Sequence, residues 1–338
     1  MAVNKFIIRS FLSCSIFMTF LAQTASASIG EFDQSNPQID LNLLKATGAD
    51  KDAQAAIDQP EYVKADKISY IRDDEMIVGV VIGNEERAYP VKILNWHEVI
   101  NAEYIGQSLK VYYAVTWSPL TNTPIVFDRT VFAEVLEFGV SGLLLNNNLV
   151  LYDKTYQGLW SQMLAKGLSG PLSYHRLDIL PSEYTTWGQW KKAHPNTRAI
   201  TLKTGYWKDY NKDPYQRYRH QQKILYPVEH QDKKYFNKRI GLGVSFEGIH
   251  KLYFLDRLEK IKDQPALDKI GEVEVKIEKT PAGSWQVFRI DDLPENANRY
   301  IASFPVYWFA WKAFFPDTEV YEHRGLDLNF FKEMPFFQ

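Results

Sequence analysis

The sequence predicts an α+β protein dominated by β structure, built as two diverged repeat lobes of strands with short helices. Three observations predict it. Val78-Gly79-Val80-Val81-Ile82 leads to Tyr89, Leu94, Gly106, Val111 and Val126-Phe127, and Ile240-Gly241-Leu242-Gly243-Val244 leads in the same order to Tyr253, Leu258, Gly271, Val275 and Val287-Phe288. Each stretch closes alike: Trp187, Trp190, Lys191, Pro195 and Thr197 stand 121 residues before Trp308, Trp311, Lys312, Pro316 and Thr318. One offset held over five positions, two of them Trp, marks a duplicated unit. Within the unit, β-branched apolar runs alternate with turn residues and short helical patterns.

Residues 1–27 carry Lys5 and Arg9, an apolar run from Phe11 to Leu21, and Ala25-Ser26-Ala27. A charged start, an apolar core and a small-residue site describe a signal peptide cut near Ala27, with the mature protein periplasmic or secreted. The run falls short of the ~20 apolar residues of a spanning helix, and no later segment is expected to span a membrane. Residues 28–60 read as an N-terminal extension and 61–204 as the first lobe. Within it, Ile77 to Ile82 is a strand, Gly83-Asn84-Glu85-Glu86 a turn, and Arg87-Ala88-Tyr89 a second strand. Pro90 opens a helix through Leu94 and Val99, Gly106 ends the connection that follows, and Leu109 to Val115 returns as a strand. Trp187 and Trp190 share a helical face that packs in the core, and Arg198 to Leu202 is extended. Residues 205–238, rich in Tyr, Lys and Arg, read as a linker or surface excursion, and 239–338 as a stripped-down second lobe.

The halves differ in what they carry. Between the Val-Phe pair and the first closing Trp lie 59 residues in the first half and 19 in the second, so about 40 extra residues fall within roughly 130–180. Asn95-Trp96-His97-Glu98 falls opposite Glu259-Lys260-Ile261-Lys262. The functional site is therefore expected in the first half.

The only cysteine of the 338 residues is Cys14, inside the signal. The mature chain then has no disulfide, thiol nucleophile or thiolate ligand. Without Lys5 and Arg9 it carries 37 Lys and Arg against 41 Asp and Glu, a net charge of −4. That balance argues against a nucleic-acid partner and leaves a small molecule or an envelope protein. There is no Gly-rich phosphate loop and no dinucleotide fingerprint, and the sequence names no cofactor.

Three segments of the first lobe hold unusual polar residues. They are Asn95 to Glu98; Thr116 to Thr123 with Asp128-Arg129; and Phe138-Gly139-Val140-Ser141-Gly142 with Asn146-Asn147-Asn148, Tyr152-Asp153 and Trp160-Ser161-Gln162. Here the chain resembles a bacterial family of unknown function, DUF3179. The resemblance rests on Arg87-Ala88-Tyr89-Pro90 through Glu98, on Phe138 to Gly142, Asn148-Leu149-Val150, Tyr152-Asp153 and Leu159-Trp160-Ser161-Gln162, and on Trp308-Phe309-Ala310-Trp311. It implies no activity. In that family the segment reading Ser118-Pro119-Leu120-Thr121 is typically Cys-Pro-Leu-Cys, a spacing that suggests a redox pair or a soft-metal site. Hydroxyls do neither, so no thiol-dependent function carries over.

The candidate catalytic residues are His97, Glu98 and Ser118. His97 beside Glu98 suits a general base or a metal ligand, and equally a hydrogen-bonded structural residue. Ser118 suits a nucleophile with His97 as its base, but there is no Gly-x-Ser-x-Gly elbow, and a turn hydroxyl explains it as well. The candidate ligand-binding residues are Trp96, Thr121, Asp128, Arg129, Ser141, Asn148, Asp153, Trp160 and Ser161. Against them stand an ion pair at a strand end for Asp128 and Arg129, and a hairpin turn for Asn146 to Asn148. The seven histidines show no zinc-motif spacing; a metal site would assemble through space from His97 with Glu98, Asp128 or Asp153. Three functions are expected from this: a ligand-binding or accessory protein of the envelope, an enzyme using His97 and Glu98 as acid and base, or a metal-handling protein.

Overall fold

The computed structural model describes residues 28–261, 265–294 and 297–322; the expected signal peptide lies outside them. Strands take 40% of the described residues and helices 13%, and five small sheets form a propeller-like ring.

Sheet I runs Ile57–Asp58, Val99–Ile105, Lys110–Ser118, Thr123–Asp128. Sheet II runs Glu183–Thr186, Met76–Ile82, Glu85–Pro90, Arg198–Ile200, Tyr62–Lys64. Sheet III runs Lys45–Ala46, Phe138–Leu145, Asn148–Asp153, Leu159–Ser161, Lys166–Gly167. Sheet IV runs Ser303–Tyr307, Ile240–Phe246, Ile249–Phe254, Glu319–Val320. Sheet V runs Ala266–Ile270, Val273–Lys279, Trp285–Arg289, Tyr300–Ile301.

The matched residues of the two halves occupy matching places. Sheets II and IV each pair a central antiparallel hairpin with a closing strand on one side and a parallel strand on the other. Helix α1 (Val91–His97) follows the hairpin of sheet II, and the shorter Leu255–Leu258 follows that of sheet IV. Trp187–Ala193 and Trp308–Phe314 are the two closing helices. Trp190 Nε1 donates to Thr197 Oγ1 at 2.8 Å, and Trp311 Nε1 to Thr318 Oγ1 at 2.7 Å. Each indole lies flat on a glycine: a Cβ on Gly79 would stand 2.4 Å from the Trp190 ring, and one on Gly243 2.5 Å from Trp311. Only glycine permits that approach.

The extra residues of the first half build most of sheet III, which has no counterpart in the second half among the described residues. A buried cluster including Phe127, Phe138, Trp160, Trp308 and Trp311 joins sheets I, III and IV. The first half also departs from expectation at α1. The helix ends at His97, because Glu98 turns to a left-handed conformation (φ 58°). Val99 then starts a strand to Ile105, in place of the expected last helical residue and the connection after it. Its residues alternate against Lys110–Ser118 and are buried on both sides near Val99, so tertiary pairing decides the element.

Candidate functional site

The left-handed turn at Glu98 sends two neighbouring side chains to different places. His97 is fully buried. Its Nδ1 lies 2.7 Å from Ala55 O, and its Nε2 lies 2.7 Å from the Tyr210 hydroxyl. A carbonyl only accepts, so Nδ1 carries the proton and Nε2 accepts from Tyr210. Tyr206 and Tyr210 cover the ring. Burial lowers the His97 pKa, with Lys208 adding to the effect and the Ala55 bond opposing it. Both ring nitrogens are engaged. The imidazole ties α1 to the N-terminal segment and to residues 205–238, and offers no free atom for catalysis or metal binding.

Glu98 faces a cavity of about 230 Å³. The three polar segments of the sequence meet there: Glu98 from the first, Ser118 and Leu120 from the second, Val140, Gly142 and Leu149 from the third. The N-terminal segment adds Thr47 and Gln54, and residues 205–238 add Tyr215, Leu225 and Tyr226. The walls are mostly aliphatic. Tyr215 donates its hydroxyl to Glu98 Oε1 at 3.0 Å. Burial nevertheless pushes the Glu98 pKa up to about 7, with the Tyr215 bond opposing it, because desolvation penalises the charged form.

Behind Ser118 lies a closed polar network. Thr121 Oγ1 donates to Ser118 Oγ at 2.8 Å and accepts from Asn148 Nδ2 at 3.0 Å. Asn148 Nδ2 also reaches Gln162 Oε1 at 2.8 Å, and Gln162 Nε2 reaches Thr116 Oγ1 at 2.8 Å. Leu149 N donates to Ser118 Oγ at 3.3 Å. Two donors thus occupy the Ser118 oxygen, and its own proton is left to point elsewhere. Among the described residues no base is hydrogen-bonded to Ser118: His97, its expected partner, bonds Ala55 and Tyr210 instead.

The remaining candidates hold the scaffold. Trp96 Nε1 donates to Lys212 O at 3.0 Å. Asp128 Oδ1 accepts from Thr130 N at 2.7 Å. Arg129 is buried and donates to Leu136 O at 2.7 Å, with Ala102 O at 3.4 Å, so backbone carbonyls satisfy it rather than the expected Asp128. Ser141 Oγ donates to Val150 O at 2.5 Å and accepts from Leu143 N, fastening an irregularity in the register of sheet III. Asp153 accepts from Tyr156 N, Gly158 N and Trp160 Nε1 at 2.6, 3.1 and 3.0 Å. Ser161 Oγ accepts from Leu164 N at 3.2 Å. Arg129, Ser141, Asp153 and Ser161 are buried, and they are bonded because an unpaired buried group costs ~1–3 kcal/mol.

Residues 205–238 supply what sequence reasoning missed. Asn146 and Asn147 each grip the backbone of this stretch, Asn147 through two bonds to Tyr226 (2.7 and 2.9 Å) and Asn146 through a bond from Glu229 N at 2.9 Å. Tyr218 donates to Leu120 O at 2.9 Å. The density of tyrosines in a stretch poor in aliphatics was the available signal. No group of three or more His, Cys, Asp or Glu able to hold a metal stands together among the described residues.

Fold and site define a β-dominant, propeller-like protein with one buried carboxylate in a mainly apolar cavity. The chain belongs to the family described as protein of unknown function (DUF3179), which matches residues 51–318. No curated protein and no solved structure matches it.

Proposed function

We propose that this chain is an exported ligand-binding protein of the cell envelope, with the cavity between Glu98 and Leu225 as its binding site. The carrying observation is the site's make-up: aliphatic walls with a few convergent polar groups, the usual composition of a small-molecule site. The signal-like residues 1–27 support export. Among the described residues no helix is long and apolar enough to cross a membrane, which agrees with a span-free mature chain. The same proposal takes the chain as two duplicated lobes, on the constant offset of 121 residues and the matching Trp–Thr bonds. It takes Ser118 and Thr121 as replacements for the cysteines expected of the family.

Native mass spectrometry of the mature protein, purified from the periplasm without chelator, tests this reading. A stoichiometric mass excess over the chain from Ser28 supports it, and the excess should vanish when Leu225→Trp fills the mouth of the cavity. Bound mass that survives this change contradicts the assignment of the site. One observation favours a second reading, an acid–base enzyme: Glu98 with a pKa of about 7 is poised to carry a proton at neutral pH. Chemical change of the recovered ligand, abolished by Glu98→Gln, separates enzyme from binder.

A further inference from the structure

The charge of the cavity points to the kind of molecule it takes, granted the reading that it binds a ligand. Its lining holds no Lys, Arg or His, and Glu98 is its only ionisable carboxylate. Glu98 is 8% exposed. Tyr215 bonds one of its oxygens, and the other takes no hydrogen bond among the described residues. Lys238, a buried cation of the covering stretch, is spent on Tyr218 O and Gln221 O. An anion kept in an apolar enclosure without a counter-charge is unfavourable until something brings one. The protein does not bring it.

We infer that the cavity takes a small organic cation, a protonated amine on an apolar body, with the ammonium against the free oxygen of Glu98 and the body against Leu120, Val140, Leu144 and Leu149. The size agrees. An apolar cavity of ~150 Å³ takes up benzene, so 230 Å³ admits a ring-sized body with a short arm. The mouth agrees as well, since Leu225 is 48% exposed at the rim. Electrostatic complementarity of this kind selects among ligands of one shape. A neutral molecule of the same outline gains nothing from the carboxylate, and an anion is repelled.

The inference carries a pH signature. The amine pairs with the ionised carboxylate, and apparent affinity scales with the fraction of protein in that form. With Glu98 titrating at about 7, binding tightens about tenfold between pH 6 and pH 8. A neutral ligand held by the protonated acid shows the opposite trend.

Calorimetry with 2-phenylethylamine and its neutral counterpart 2-phenylethanol, on the mature protein at pH 6 and pH 8, decides it. The expected result is amine binding about tenfold tighter at pH 8, and lost at least tenfold in Glu98→Gln. Leu225→Trp, a change at an exposed position, should weaken both probes. If the alcohol binds but the amine gains nothing, or if Glu98→Gln leaves amine affinity intact, the cation inference is overturned and the cavity reading stands. If neither probe binds, both are overturned.

Discussion

The helices that follow the two central hairpins both end on a glutamate, and the two glutamates live in opposite surroundings. Glu259, at the end of Leu255–Leu258, keeps a right-handed conformation. Its half-exposed carboxylate pairs with Lys279 at 2.6 Å and accepts from Trp285 Nε1 at 3.0 Å. Glu98 turns left-handed and is roofed by Tyr215. The closing helices show no such divergence: Trp190 and Trp311 make the same bond and lie on equivalent glycines. A packing arrangement common to the two halves keeps what close contact dictates. It is free to differ where an added sheet and a covering stretch decide what meets the helix end.

The largest expected effect tests the shared part. Trp190→Ala and Trp311→Ala should each cost about 3–5 kcal/mol by denaturant unfolding, as for other large-to-small core changes. A loss confined to one half breaks the equivalence. Gly79→Ala and Gly243→Ala force a Cβ into the indole and should each cost about 1–3 kcal/mol.

Next comes the contrast between the glutamates. Glu98 has a folded pKa raised from 4.5 to about 7. Its contribution to stability is full below 4.5 and is lost as pH rises through 7, by at most about 3 kcal/mol. Glu98→Gln should remove that fall, so the variant gains on the parent chain at pH 8. His97 works the other way: its lowered pKa keeps its contribution above 6.5 and loses it as pH falls. Glu259→Gln should change stability by less than about 1 kcal/mol at any pH, as for exposed ion pairs. Equal pH profiles for the two glutamine variants would sink the comparison.

Tyr215→Phe sharpens it further. The bond it removes lowers the Glu98 pKa, so the midpoint of the stability profile should move above 7, with a loss of about 1 kcal/mol. An unmoved midpoint would show that Tyr215 does not hold the carboxylate.

The smallest effect concerns two hairpin turns of one geometry. Asn146 and Asn147 have φ of 49° and 65°, and Phe132 and Ala133 have 51° and 68°. Asparagine tolerates this region and phenylalanine does not. Phe132→Asn with Ala133→Gly should stabilise the protein by about 1 kcal/mol in thermal or denaturant unfolding, whereas Asn147→Ala should destabilise it.

Residues from the three segments of the first half line one cavity, but none of the nine candidate ligand-binding residues is among them, and the Asn146-Asn147 turn was readable from residue type alone. The pairing of His97 with Glu98 as acid and base was not. Adjacency in sequence suggested a shared site, and one left-handed residue put the imidazole under Tyr206 and Tyr210 and the carboxylate in the cavity. Arg129 and Asp153 were chemically conspicuous for the same reason that they are structural: a buried charge must be bonded on every side.

By itself the sequence determined the β-dominant class with its few short helices. Both depend on local pattern: the period of apolar residues, the turn formers and the spacing of large rings. Only the tertiary structure decided that the inserted residues form a sheet of the ring, that residues 205–238 cover the cavity, and that Glu98 rather than His97 faces into it. Burial and desolvation sum over residues far apart in the chain, and no local pattern records that sum.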